Sequence, residues 1–105
     1  MDKSSEVLYE NNLRILYDML KGHSISDSIR LLDTIDFLIK VRINFNKVAP
    51  KDDHRIAKGF VRLASTSVLE CLHNDWGVKQ EDTTFIWEIV WYEVKKALEE
   101  EREVG

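Results

Sequence analysis

Before its terminal Gly105, this 105-residue chain is punctuated by only four residues of the kind that end helices and shape turns: Gly22, Pro50, Gly59 and Gly77. Gly supplies left-handed backbone and Pro breaks hydrogen-bonded ladders, so a chain this poor in both has few places to reverse direction. Between those points the apolar residues recur at helical rather than alternating spacing. Val7, Leu8, Asn11, Ile15, Leu16, Met19 and Leu20 follow that period up to Gly22, which stands where a helix C-cap glycine belongs. Ser24 then offers a hydroxyl cap, with Asp27 three residues on in the first turn.

The second segment carries one row of Ile25, Ile29, Leu32, Ile39 and Ile43 and a neighbouring row of Leu31, Ile35, Leu38 and Phe45, an apolar arc wide enough to be buried on two sides. Asn46 to Pro50 should end it. A third segment, capped by Asp52 or Asp53, has Ile56, Phe60, Leu63, Ser67 and Cys71 on one row and Ala57, Val61, Ala64, Val68 and Leu72 on the next. Its small middle residues, Ala64 to Ser67, allow close approach of a neighbour. Asn74 to Gly77 form a turn, and Asp82, Thr83 or Thr84 caps the last segment. The reading is all-α: one domain of four helices over about residues 4–21, 25–45, 53–73 and 83–102, and the short connections make neighbours antiparallel in a bundle.

Composition narrows the class. With 44 % hydrophobic and 32 % charged residues the chain is too apolar to stay disordered, and its apolar runs fall short of the ~20 residues that span a bilayer. A soluble protein, not a membrane one, is expected. Met1 to Glu6 show no basic stretch leading into an apolar run, and the single Cys71 leaves no intrachain disulfide, so a cytoplasmic location is expected.

Two surfaces are candidates for function. On the last helix Ile86, Trp87, Val90, Trp91, Val94, Ala97 and Leu98 suffice to close a core, while Phe85, Ile89 and Tyr92, at i, i+4 and i+7, form a second stripe on the other side. Such a stripe marks either a central helix or a partner-covered one. Two-fold self-association is the simplest partner, an unidentified protein the next. The second surface is basic. The net charge of −4 is uneven: residues 40–62 sum to +5, residues 1–39 to −3, residues 63–79 to −1 and residues 80–105 to −5. Lys51, Arg55, Lys58 and Arg62, at i, i+4, i+7 and i+11, make a ridge about 16 Å long at 1.5 Å per residue. That ridge would track phosphates of a nucleic acid, lie as a solvated face, or pair with the acidic last helix within the molecule or across a dimer.

Enzymatic signatures are absent from the sequence: it has no Gly-rich phosphate loop, no GxSxG and no Cys/His metal spacing. Asp33 and Asp36 at i, i+3 would need a second carboxylate pair on a neighbouring helix to hold a metal, and Arg30 offers Asp33 an ordinary ion pair. Cys71 reads as a small core residue. Arg42 lies inside the apolar arc of the second helix, where it would either enter a buried ion pair or pack its stem with its head in water. Residues Ile29 to Arg42 resemble the opening helix of the all-α chorismate mutases, but those enzymes use one very long first helix, whereas here another precedes it and Pro50 follows. That family is therefore not assigned. The expectation is a non-enzymatic helical interaction protein without cofactor or metal: an assembly subunit, regulator or inhibitor that forms a homodimer through Phe85, Ile89 and Tyr92. The alternative is a nucleic-acid backbone binder that uses the basic ridge.

Overall fold

The structure, a computed structural model, describes residues 3–48 and 55–104. Its elements are α1 (Lys3–Leu20), α2 (Ile25–Val48), α3 (Arg55–Glu70), a π-helical turn (Cys71–Asp75), a 3-10 turn (Gln80–Asp82) and α4 (Thr84–Val104), with no strand among the described residues. The chain is an all-α four-helix bundle.

Local chemistry accounts for most helix ends. Gly22 takes φ +83° just beyond α1, a region closed to most side chains. Ser24 Oγ accepts the Asp27 N–H at 3.1 Å, and Ser24 O accepts the Ser28 N–H, so Ser24 is the N-cap of α2. α2 runs three residues past the expected end at Phe45, because Asn46 donates its side-chain amide to the Arg42 carbonyl at 2.8 Å and stays in the helix instead of turning. The Asp52 and Asp53 caps lie outside the described residues. α3 was expected to continue to His73 but widens into the π turn after Glu70, closing where Gly77 (φ +65°) donates to His73 O and Val78 to Leu72 O. At the start of α4, Thr83 O accepts from Ile86 and Trp87, while its hydroxyl donates to Gln80 O and accepts from Trp87 Nε1.

The helices pack in the spatial order α1, α4, α2, α3. The two central helices are thus α4 and α2, and α1 and α3 flank them. Leu31 and Leu38 of α2, Val68 of α3, Leu72 of the π turn, and Ile86, Val90 and Val94 of α4 are fully buried between them. Each such side chain contributes about 1.5–3 kcal/mol relative to exposure.

Candidate partner-binding surface

The stripe of Phe85, Ile89 and Tyr92 is taken up inside the molecule, in the core and against α1. Ile89 is 4 % exposed and sits in the core, Phe85 packs against that core, and half-buried Tyr92 stacks on Tyr9 of α1 with centroids 4.0 Å apart and planes 11° from parallel. This corrects the expectation that the stripe is open to a second copy. The physical reason is the packing order: α4 is a central helix, so both of its apolar sides are used inside the molecule.

Polar bonds fix that seam. Asn12, buried, donates to Glu88 at 2.7 Å, and the Tyr9 hydroxyl donates to Glu93. Burial, then the bond to Glu93, raises the Tyr9 phenol well above its ordinary value. A cleft of about 310 Å³ opens beside these residues, also lined by Leu8, Trp91 and Lys95. Sequence reasoning missed Tyr9 and Asn12. The available signal was a polar residue placed one turn before Leu16 on the inward row of α1.

Two helices keep an apolar row open: α2, whose Ile25, Ile29 and Leu32 are exposed, which corrects the expectation that its whole arc is buried on two sides, and α3. α3 turns its small row inward, with Ala64 and Val68 buried and Ala57 and Val61 half-buried, while the larger row faces outward: Ile56 is 78 % exposed, Phe60 52 % and Leu63 61 %. Small residues against α2 allow the close approach read from the sequence, and the larger row pays nothing to that contact. Three big apolar side chains at i, i+4 and i+7 on one exposed face differ from the scattered apolar residues of an ordinary surface.

The basic ridge lies on the same helix. Lys51 is outside the described residues; Arg55, Lys58 and Arg62 are all exposed. Lys58 and Arg62 enter no ion pair among the described residues, and no Asp or Glu occurs between Arg55 and Leu69. From α2, Lys47 Nζ meets Glu101 of the acidic last helix at 2.6 Å, and the half-buried Arg42 sets its guanidinium 5.5 Å from the centre of the Trp91 ring. Arg42 thus packs on the face of a half-exposed aromatic ring and enters no ion pair among the described residues.

The remaining candidates are structural. Arg30 reaches Asp75 in the π turn at 3.3 Å and not Asp33, and Asp36 pairs with Lys40 at 2.8 Å, which raises the lysine's pKa. Cys71 is buried and its thiol donates to Asp75 at 3.5 Å. Burial, then that bond, raises the thiol, the reverse of what a nucleophile needs. Among the described residues no three His, Cys, Asp or Glu side chains come together as metal ligands, and no helix is long and apolar enough to cross a membrane. No protein-family model, curated protein or solved structure matches the chain.

Proposed function

We propose that the protein is a non-enzymatic interaction module, an assembly subunit or regulator, that presents the outer face of α3 to a protein partner. One observation carries this reading: α3 faces its smaller apolar row to the core and its larger one, Ile56, Phe60 and Leu63, to solvent. Large apolar side chains clustered on an exposed face are the residues that anchor protein interfaces. A photoreactive p-benzoylphenylalanine at position 60, compared with one at the equally exposed Tyr17 of α1, tests it in the cell of origin. A discrete protein adduct from position 60 and none from position 17 is expected. Equal adducts from both, or none from either, would remove the reading.

Self-association belongs to the same reading, with a second copy as the partner. A concentration-dependent sedimentation coefficient that Phe60→Glu abolishes is its signature.

A second reading, phosphate-backbone binding, is favoured by the run of cations on α3 with no carboxylate among them. It predicts nucleic-acid binding at ~50 mM salt that falls steeply as salt rises and is lost on combining Lys58→Glu with Arg62→Glu. No binding at that salt concentration would exclude it.

A further inference from the structure

We propose that the outer half of α3 docks an acidic amphipathic helix of a partner protein. Its apolar edge would lie on Ile56, Phe60 and Leu63, and its carboxylates would reach toward Lys58 and Arg62. This rests on the reading of α3 as the interaction face and adds the chemistry of what binds there.

At about 100° per residue, the exposed half of α3 divides into three strips. Ile56, Phe60 and Leu63 form one edge, Gly59 and Thr66 the middle between Arg55 and Glu70 at its two ends, and Arg62 and Lys58 the far side. The middle is a low saddle. A Cβ at Gly59 would meet nothing within 4 Å, and the Thr66 hydroxyl is folded back onto the Arg62 carbonyl at 2.9 Å. A mid-helix glycine costs about 1 kcal/mol relative to alanine, and here the space it leaves is not used by the chain's own side chains. A rod-shaped ligand lying in that saddle touches the apolar edge and the cations together. Anchors at i, i+4 and i+7 match the ridge spacing of a second helix.

Charge chooses the partner. Lys58 and Arg62, without an ion pair among the described residues and on a helix with no carboxylate before Glu70, attract an acidic surface and repel a basic one. A second copy fits less well, because an antiparallel two-fold pairing of α3 with itself sets the cationic flank of one copy against the same flank of the other. A nucleic-acid backbone would satisfy the cations and leave Ile56 and Leu63 uncovered.

The test uses the full chain and three fluorescent helical peptides of about 16 residues: Leu at i, i+4, i+7 and i+11 with Glu elsewhere on the flanks; the same with Lys for each Glu; and the acidic composition with its Leu positions scrambled. Anisotropy should show the first binding at least about 10-fold more tightly than the other two. Combining Lys58→Glu with Arg62→Glu should reverse the preference toward the Lys peptide, and Phe60→Ala should weaken the acidic peptide without changing its salt dependence. Circular dichroism confirms that each variant is folded. Equal binding of the Glu and Lys peptides overturns the acidic preference, and binding of the scrambled peptide and a single-stranded RNA as tightly as the first points to a polyanion site and overturns it too. Failure of every peptide overturns the proposal, yet an adduct from position 60 would still stand for α3 as an interaction face. Dimerisation that Phe60→Glu abolishes assigns the face to a second copy and likewise overturns the acidic helix.

Discussion

The two flanking helices use their polar and apolar residues in opposite ways. α1 meets α4 through bonds that need a particular partner: Asn12 to Glu88, Tyr9 to Glu93, and one tyrosine ring laid on another. α3 meets α2 through small side chains that need only proximity, and keeps its large apolar row and its cations for the outside. A buried polar group without its partner is costly, so the polar seam specifies one internal arrangement. The outward row of α3 specifies nothing inside the molecule. The contrast locates where an external contact can be added without dismantling the fold.

The widest break in that comparison would come from truncating one leucine in the core that α3 faces, on α2, and one on the outer row of α3. Leu38→Ala, in the fully buried core, should cost about 2–5 kcal/mol in urea denaturation. Leu63→Ala, on the outer row, should stay within about 0.5 kcal/mol. Comparable losses would mean that the outer row is covered in the folded chain. Asn12→Ala comes next, leaving the Glu88 carboxylate without its donor across the α1 seam, for about 1–3 kcal/mol. A double-mutant cycle with Glu88→Gln isolates the pair. Gly59→Ala should stabilise by up to about 1 kcal/mol, since the helix gains propensity and the new methyl meets nothing; a loss of stability there would show that the saddle is filled.

The gentlest test is pH. Tyr9 keeps its proton in the folded state above the ordinary phenol value, so the unfolded chain ionises first and stability should fall as pH rises above about 10, with no effect from this group at neutral pH. Melting temperatures across that range should decline less steeply for Tyr9→Phe than for the wild type.

The helices and most of their ends were legible because they are set locally. Gly22, the Ser24 cap and the Gly77 turn depend on residues within a few positions of one another. The order of packing was not legible, because an apolar arc states how much of a helix is buried and not which helix covers it. Phe85, Ile89 and Tyr92 therefore read as an interface, although Ile89 is core, Phe85 packs against the core and Tyr9 of α1 stacks on Tyr92. The same limit hid the open face. Counting apolar residues ranks Ile56, Phe60 and Leu63 above Ala57, Val61 and Ala64 as core, whereas close packing on α2 selects the smaller row. The continuation of α2 past Phe45 turned on a single side-chain bond from Asn46, a residue type that serves turns and helix back-bonding alike.

The packing order also sets a timetable. Tyr9 and Glu93 touch across 84 positions of sequence, whereas α2 and α3 are successive in the chain and pair with each other. During translation at about 5–20 residues per second, α1 waits roughly 4–17 s for the helix that will cover it, while the α2–α3 pair can already assemble. Of these four helices, the one made earliest is therefore among the last to gain its neighbour. Until α4 is complete, the nascent chain carries α1 as an unpaired amphipathic segment, and this is the interval in which the ribosome surface, a holdase or another nascent chain competes with the native seam.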